Sequence, residues 1–403
     1  MTKSSCQPQS KHNNQRRFTM LYVGIDVAKY KHDIAVIDEF GNIILEHMQI
    51  KNNHEGFYQL HTWLSHHVEN PNDIRIALED TGHYSRNIVM FLRANFYPTF
   101  SYNPYLIKEF AKSVSLRKTK TDKKDALTIA RKLASDMPVM RQMPSQDMDD
   151  LKVLTRHRDR IKRKMTDFKV QYVKILDLIF PELAKIVNLH NQSTRHLIEK
   201  YPTPAKIIRA NKTSIYNIKN LKADKAKSII IAARTTVGNT SWALEFELKQ
   251  TLQAIRYFEK LMTEINTEIQ ALMDKLDQVI TSVPGISTTL GSIILAEIRN
   301  IENFRNPNQL LAFAGLEPSV NQSGESEHTG KMVKRGSTHL RWALLQAAEK
   351  VAIYSPTFKR YLALKRSQGK HYNKAKSHVA KKLVRVLFYL LKNHKYFDEN
   401  LLT

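Results

Sequence analysis

The amino-acid sequence predicts an α/β domain with a mixed sheet, followed by a mainly α-helical remainder. Three observations predict this organisation. Residues 20–145 alternate β-rich runs with amphipathic helical segments in the order βββαβαβα. The middle of the chain repeats apolar residues at steps of three and four. From Thr281 onward, short turns with glycine and proline separate further helical segments. Because 403 residues are too many for one ordinary core, we expect two or three domains.

The predicted sheet begins with three β-rich runs, residues 21–27, 33–38 and 43–50, which are joined by short connections. A helical spacing follows at 55–68, and residues 73–80 then alternate as a half-buried strand does. The remaining elements are a helix at 86–95, a strand at 99–102, a helix from residue 104, a basic loop at 117–120 and a helix at 122–135. This is the order of elements in a ribonuclease H-like domain, an α/β fold with a mixed sheet.

Two long helical segments are predicted within residues 146–280. Their apolar residues follow the seam of a coiled coil, and they are Leu154, Ile161, Met165, Phe168, Tyr172, Ile175 and Ile179, then Ile255, Phe258, Met262, Ile265, Ile269, Leu272 and Leu276. Two ordinary amphipathic helices of one bundle would give the same spacing. A coiled coil could form within one chain as an antiparallel arm, or between chains. Residues 181–240 between the segments are predicted to form a small helical insert.

The last region, residues 281–403, is predicted to be helical and to bind DNA. Residues 283–286, Val-Pro-Gly-Ile, resemble the turn of a helix-hairpin-helix unit, in which the backbone around a glycine such as Gly285 contacts a DNA phosphate. A plain turn between two helices is the alternative. Ser323 is predicted to lie in a loop, because Ser323-Gly324 is a turn dipeptide. Further helices are predicted from residue 339 to about residue 396.

The charge of the chain indicates a polyanionic partner. It contains 63 Lys and Arg against 38 Asp and Glu, a formal net charge of +25, and the basic residues are spread along its whole length. This distribution favours binding to the phosphate backbone of nucleic acid. The alternatives are a surface that keeps the protein soluble and a ribosome-like accessory protein. Residues 1–19 are predicted to be a disordered basic tail.

Cysteine usage and hydropathy narrow the possible classes of protein. Cys6 is the only cysteine, which excludes disulfides within the chain and zinc sites built on several cysteines. A reducing cytosol is therefore the expected compartment. No apolar stretch reaches membrane-spanning length, and no signal-peptide core is recognisable at the N-terminus.

Four carboxylates are the candidate metal ligands: Asp26, Glu79, Asp122 and Asp125. Asp26 and Glu79 end two strands that are neighbours in this fold, and Asp26 shares a sheet face with Tyr22 and Gly24. Asp122 and Asp125 are three residues apart on a helix, so they project from one side, about 5–6 Å apart at Cβ. Oxygen ligands of this kind suit Mg²⁺, and paired ions can assist phosphodiester transfer. Taken singly, Asp26 could instead be a solvated residue at a strand end, and Glu79 could be the N-cap of the next helix. Asp122 and Asp125 could simply complement a helix dipole.

Ser323 is the candidate nucleophile, although small polar residues in such positions usually only form turns. A serine nucleophile needs a base or a metal to activate it, and cations to bind the phosphate. His328 and His339 are candidate bases. The candidate phosphate-binding residues are Lys118, Lys120, Lys331, Lys334, Arg335 and Arg341.

Several short segments resemble a known family. GIDVAK at 24–29, LEDTGHY at 78–84 and KTDKKDA at 120–126 resemble the DEDD-type insertion-sequence transposases, which are relatives of the Piv-type DNA invertases. The N-terminal domain of that family resembles the RuvC Holliday-junction resolvases. SVPGI at 282–286, FAGLEP at 313–318, QSGE at 322–325 and KRGS at 334–337 are similar to the C-terminal transposase domain of the family. The resemblance covers residues 20–140 and 280–395.

The resemblance implies specific roles and partners. Asp26, Glu79, Asp122 and Asp125 would bind Mg²⁺, for which Mn²⁺ can substitute, and Ser323 would form a transient phosphoserine link to DNA. The two parts of one active site would come from different protomers of a homodimer or tetramer that is joined through coiled-coil arms. Double-stranded donor and target DNA and a noncoding bridge RNA would be partners. The expected location is the bacterial or archaeal cytosol, in association with the nucleoid.

The implied domains are a RuvC-like catalytic domain at 20–145, a helical and coiled-coil region at 146–280, and a C-terminal domain with the catalytic serine at 281–403. Two other functions remain open from the residues. One is a structure-selective nuclease that uses the four carboxylates and water, in which Ser323 only contacts DNA. The other is a non-catalytic nucleic-acid scaffold. The sequence has no GxxxxGK[ST] loop for ATP, and transfer through a serine ester needs none, since it conserves the phosphodiester energy.

Overall fold

The computed structural model describes residues 20–79, 82–114, 122–136, 145–323 and 326–402, without the side chains of Val114, Asp122, Lys123 and residues 319–331 and 401–402. The predicted tail at 1–19 and the basic loop with Lys118 and Lys120 lie outside the described residues. The chain divides into two compact units, residues 1–141 and 142–403.

The N-terminal unit is built on a mixed five-stranded sheet, as the sequence predicts. Its strands are β1 (Leu21–Val27), β2 (Lys31–Asp38), β3 (Ile43–Lys51), β4 (Ile74–Glu79) and β5 (Thr99–Tyr102). The spatial order is β3-β2-β1-β4-β5. The first three strands form an antiparallel meander, whereas β4 is parallel to both β1 and β5. The carboxyl ends of β1, β4 and β5 therefore lie at the same edge of the sheet.

Four helices cover the two faces of this sheet: α1 (His54–His67), α2 (Ser85–Ala94), α3 (Pro104–Val114) and α4 (Asp122–Asp136). Alternate residues of β1 and β4, including Ile25 and Leu78, pack with α1 and α2. The intervening residues, including Tyr22 and Ala77, pack with α3 and α4. The period of two along each strand thus separates two small cores, one on each face.

The C-terminal unit contains two 34-residue helices, α5 (Gln146–Ile179) and α11 (Trp242–Lys275), which pack against each other. Lys275 Nζ donates to Asp147 Oδ1 at 2.8 Å, while Gln171 Nε2 donates to Glu247 Oε1 at 2.7 Å. Since the start of α5 meets the end of α11, the pair is antiparallel and lies within one chain. Of the arrangements left open by the sequence, the structure has the intrachain pair.

The insert predicted at 181–240 is helical and packs on one end of this pair. It contains α6 (Leu183–Ile186), α7 (Gln192–Lys200), α8 (Pro204–Arg209), α9 (Lys212–Tyr216) and α10 (Ala223–Thr235). Their apolar residues share a core with Tyr172 of α5 and Ile255 of α11. Pro204 starts α8, where its missing N–H costs no hydrogen bond.

The rest of the C-terminal unit is a helical bundle with one β-hairpin. Its elements are α12 (Thr288–Ile298), α13 (Pro307–Ala314), β6 (Pro318–Ser323), β7 (Ser326–Met332), α14 (Thr338–Tyr354), α15 (Pro356–Ser367) and α16 (Tyr372–Asn393). The core joins α12, α14 and α16 to the other half of the long helix pair. Throughout the described part of the chain, no helix combines the length and apolarity needed to cross a membrane.

Candidate active site

Asp26 and Glu79 lie level with each other at the carboxyl edge of the sheet. The last pair in the parallel register joins Ile25 of β1 to Leu78 of β4, and Asp26 and Glu79 are the next residues in the two strands. Both fall on the side of the sheet that carries Tyr22 and Ala77, which is the side covered by α4. Glu79 is the last residue of β4 and Asp26 the last but one of β1, so both carboxylates lie at the ends of neighbouring strands, Asp26 one residue earlier than predicted.

Helix α4 approaches β1 closely at Gly24. A Cβ atom at this glycine would lie 2.1 Å from the Ala126 carbonyl oxygen and 2.4 Å from the Ala130 nitrogen. Only a residue without a side chain lets the helix backbone come so near. Asp26 is two residues beyond Gly24 on the same strand face, about 7 Å along the strand, and Asp125 directly precedes Ala126. The contact therefore brings two candidate ligands to one region of the unit.

This close approach gives a testable prediction. Replacing Gly24 with alanine should destabilise the N-terminal unit by about 3 kcal/mol. The added Cβ would clash with backbone atoms of α4, which cannot move away by changing a side-chain rotamer. Urea unfolding followed by circular dichroism would measure the change. Gly41→Asn is the matched control, because φ there is +84°, which asparagine tolerates, and a Cβ meets nothing within 4 Å. Equal midpoints for the Gly24→Ala variant and the unsubstituted protein would contradict the proposed packing.

The structure adds Asp33, which the sequence analysis did not select. Asp33 is the partner of Asp26 across β1 and β2, and its side chain is only 3% exposed. His47 Nε2 lies 2.6 Å from Asp33 Oδ1, and Gln49 Nε2 donates to the same oxygen at 3.0 Å. Burial would raise the pKa of Asp33, but the hydrogen bonds from Gln49 and His47, together with the charge of Lys31, hold that pKa below its usual range. An ionised carboxylate therefore sits beside Asp26.

The structure contradicts one of the alternative roles of the four carboxylates and agrees with another. Glu79 is not the N-cap of the following helix, because α2 begins at Ser85 and its cap position is Tyr84. Asp122 and Asp125 do lie in the first turn of α4, a position in which acidic residues complement the helix dipole. Asp26 and Asp125 are both half-buried rather than fully solvated.

The donor chemistry of this region fits a hard divalent cation. Asp26 and Glu79 directly follow the last pair of the parallel β1–β4 ladder, and Asp125 adjoins Ala126 of the Gly24 contact. Carboxylate oxygens are ligands that suit Mg²⁺. Among the side chains that the structure describes, which exclude that of Asp122, no three Asp, Glu, His or Cys residues are already arranged as a ligand set. The residues therefore fit the ion in type.

Ser323 lies at the far end of a β-hairpin in the C-terminal unit. It is the last residue of β6, and its Cα partner is Ser326 at the start of β7. The prediction of a loop around Ser323 was wrong: residues 318–323 and 326–332 form a two-stranded antiparallel sheet, the Ser323 hairpin. His328 lies opposite Asn321 in this register. The backbone thus holds Ser323 at a hairpin tip.

The base of the Ser323 hairpin is anchored to α13 and α14. Val333 N–H donates to the Glu317 carbonyl at 3.0 Å, and Ser337 N–H donates to the Phe313 carbonyl at 2.9 Å. Arg341 Nη1 donates to the carbonyls of Lys334 and Ala314 at 3.0 and 3.3 Å. The guanidinium of Arg341 therefore has a structural role at the hairpin base. Binding of phosphate by this residue remains a prediction.

A buried ionic network centred on Glu297 anchors the start of α14. Glu297 of α12 is 3% exposed and accepts from Arg156 Nε at 2.9 Å, Arg156 Nη2 at 3.2 Å and Ser337 Oγ at 2.8 Å. Ser337 is also the N-cap of α14, since its Oγ accepts from Leu340 N. Burial would raise the pKa of Glu297, but Arg156, Lys152 and Ser337 hold that pKa below its usual range.

Substitution of Glu297 should therefore have a pH-dependent cost. Because the folded-state pKa of Glu297 lies below its ordinary 4.5, the carboxylate stabilises the fold above pH 4.5, and this contribution is lost as pH falls through the folded-state value. We expect Glu297→Gln to lower the free energy of unfolding by about 2 kcal/mol at pH 7. The difference from the unsubstituted protein should shrink below pH 4.5.

Urea unfolding at pH 7 and at several values below 4.5 would measure this difference. Glu264→Gln is the control, because Glu264 pairs with Lys260 on the exposed surface of α11 and should change little. A cost for Glu297→Gln that stays the same at every pH would contradict an ionised Glu297.

The other predicted site residues occupy varied environments. Gly285 has φ +91° and lies against the Lys350 carbonyl of α14, where a Cβ would come within 2.9 Å of the oxygen. This contact explains the glycine by packing, and contact with a DNA phosphate remains a prediction. His339 lies in the first turn of α14, with Nδ1 3.9 Å from Asp159 Oδ2. Lys334 has φ +56° at the hairpin base, Arg335 is exposed beside it, and Lys331 belongs to β7.

Comparison with known proteins gives matches in both parts of the chain. A model of DEDD-type transposases of the IS110 group matches residues 23–181. A second model, described as the transposase of the IS116/IS110/IS902 family, matches residues 277–363.

Some curated relatives match along nearly the whole chain, and others match a shorter part of it. The pilin gene-inverting protein of Moraxella bovis is 22% identical over 388 residues, covering 94% of this chain and 98% of that protein. The mini-circle putative transposase for IS117 of Streptomyces coelicolor is 23% identical over 406 residues, covering 94% of this chain and 95% of that protein. A probable family 20 transposase of Pseudomonas aeruginosa is 32% identical over 107 residues, covering 26% of this chain and 31% of that protein.

The matches identify a DEDD-type transposase domain at the N-terminal side and a second transposase domain at the C-terminal side. The chain carries the transposase domains of the IS110 family and is a member of this family of insertion-sequence transposases and recombinases. The resemblance drawn from the sequence motifs is confirmed at this level.

Proposed function

We propose that this transposase cuts and rejoins double-stranded DNA by transesterification, with Ser323 as the nucleophile and with metal-binding carboxylates at Asp26, Glu79, Asp122 and Asp125. The observation that carries the proposal is the backbone placement in the N-terminal unit: Asp26 and Glu79 directly follow Ile25 and Leu78, the last pair of the parallel β1–β4 ladder, and Asp125 adjoins the contact of Gly24 with α4. We further assign a RuvC-like ribonuclease H fold to this unit, on the basis of its strand order.

In this mechanism each part of the chain has one task. The carboxylates would hold Mg²⁺ or Mn²⁺, which when bound neutralises the charge developing on the scissile phosphate and favours an ionised serine. Asp33 keeps a negative charge beside Asp26 and favours binding of the cation. The Ser323 oxygen attacks phosphorus and loses its hydroxyl proton to water. The bond from phosphorus to a deoxyribose oxygen breaks, and that oxygen takes up a proton from water. The serine ester retains the energy needed for rejoining. The anchored hairpin base fixes the backbone of Ser323 relative to the rest of the C-terminal unit.

We propose that the two parts of the site come from different protomers of a homodimer or tetramer, and that a noncoding guide RNA pairs with the donor and target DNA. The charge of +25 supports a complex with several polyanions. Co-purification from cells, with and without ribonuclease, tests for the RNA. Recovery of one defined RNA species is expected, and a preparation that recombines DNA after complete removal of RNA would contradict this part.

The reaction is tested by incubating the protein, its guide RNA and two marked DNA molecules with Mg²⁺ or with EDTA. Joined products are expected only with Mg²⁺ or Mn²⁺. A structure-selective nuclease that uses water would instead leave free cleaved ends with the same metal dependence. A scaffold would give neither product. Pilin gene inversion, which the name of the Moraxella relative describes, requires the same breakage and rejoining.

A further inference from the structure

The C-terminal helices carry many cations and no carboxylate over a long stretch. Between Glu349 and Asp398 the sequence contains thirteen Lys and Arg residues and no Asp or Glu. Two of these cations pair with carboxylates elsewhere in the unit, namely Lys376 with Glu349 and Lys392 with Glu302. The local sequence itself offers no negative charge to the others.

Several of these cations converge where α15 turns into α16. Lys370 Nζ and Lys365 Nζ both donate to Gln368 Oε1, at 2.8 and 3.4 Å. Arg366 Nη1 donates to the Lys370 carbonyl at 2.8 Å. Two ammonium groups thus share one neutral acceptor, and a guanidinium lies beside them. Gln368 is exposed, so the cluster faces solvent.

The cluster continues along one side of α16. Lys374, His378 and Lys381 follow at steps of four and three, which places them on one helix face. Burial lowers the pKa of His378, and the charges of Lys381, Lys365, Lys370 and Lys374 lower it further. These five residues, Lys365, Lys370, Lys374, His378 and Lys381, are named here the α15–α16 basic face. Like charges so close repel one another, and a bound polyanion would relieve that repulsion.

We propose that the α15–α16 basic face binds the phosphate backbone of double-stranded DNA. This rests on the proposed function, because an enzyme that exchanges strands must hold the duplex beside the point of cleavage. Base stacking is not favoured here, since lysines already lie over the neighbouring aromatic rings. Lys365 and Lys382 are 5.1 and 5.2 Å from the Tyr361 ring centroid, and Lys376 is 5.7 Å from that of Tyr372. Duplex backbone, which offers phosphates rather than open bases, fits this surface.

The test is the salt dependence of duplex binding by the full chain, measured by fluorescence anisotropy without divalent metal. The variant replaces four lysines with glutamine, at positions 365, 370, 374 and 381. The slope of the logarithm of the association constant against the logarithm of the salt concentration should become shallower by about 3 to 4, since each lost phosphate contact contributes about 0.9. Because no cleavage is needed, this readout is independent of whether Ser323 or the four carboxylates act in catalysis.

The matched control removes the same charge from four lysines that are exposed and already paired with carboxylates, namely Lys51, Lys112, Lys260 and Lys275. Its slope should stay within about 1 of that of the unsubstituted protein. Thermal unfolding of both variants checks that each is folded. An unchanged slope in a folded four-lysine variant would overturn the proposal, as would equal losses in variant and control. If the four substitutions weakened binding to an RNA hairpin of equal charge but not to the DNA duplex, the choice of DNA as the ligand would be overturned.

Discussion

Replacing Ser323 with alanine is expected to abolish strand exchange while duplex DNA binding survives. The alanine has no hydroxyl to form the phosphoester, so joined products should fall by more than about 1,000-fold. Binding depends on basic residues spread along the chain and should change little. The measurements are a recombination assay with two marked DNA molecules and anisotropy with one labelled duplex.

Ser326→Ala is the matched control for this substitution. Ser326 is the Cα partner of Ser323 across the same hairpin, so the control changes the same side chain at the adjoining register position. It should retain strand exchange within a few-fold of the unsubstituted level. Ordinary recombination by Ser323→Ala would remove this serine from the mechanism. Equal losses in both variants would assign the effect to the hairpin rather than to the nucleophile.

Replacing Asp125 with asparagine should abolish metal-dependent cleavage and weaken binding of the cation. The amide keeps the size of the side chain but removes a negative charge next to the contact between Gly24 and α4. We expect cleavage to fall by more than about 100-fold. Titration with Mn²⁺, followed by electron paramagnetic resonance, should show a loss of affinity in the same variant.

Asp136→Asn controls for the loss of a carboxylate from the same helix. Asp136 is at the other end of α4 and pairs with Lys132 at 3.0 Å, so its removal should leave both cleavage and Mn²⁺ affinity nearly unchanged. The fold should persist in both variants, as checked by thermal unfolding. If Asp125→Asn bound Mn²⁺ as tightly as the unsubstituted protein, Asp125 would not be a ligand.

Much of the N-terminal unit can be predicted from the sequence, because its signals are local. Period-two alternation marks β1 and β4, and the short connections of the first three strands predict a meander. Given that order, Asp26 and Glu79 must end neighbouring strands. Asp33 could not be found in this way. Its burial depends on His47 and Gln49 of the next strand, and a single polar residue at the start of a strand does not reveal such partners.

The C-terminal unit was harder to predict for a related reason. Spacing of three and four identifies α5 and α11 as long amphipathic helices, but it does not say whether they pair within one chain. Contacts such as that of Lys275 with Asp147, 128 residues apart, decide this point. The Ser323 hairpin was missed because Pro318–Ser323 contains a single large apolar residue, Val320, and so lacks the alternation that marks a strand.

The most direct measurement is a search for DNA covalently attached to the protein after reaction with a suicide substrate, a duplex nicked so that rejoining cannot follow cleavage. Mass spectrometry of the digested product should find a nucleotide ester on Ser323 in the unsubstituted protein. The adduct should be absent from the Asp125→Asn variant and from reactions with EDTA. Cleaved DNA with free ends and an unmodified Ser323 would contradict the joint action of the carboxylates and this serine on one phosphodiester.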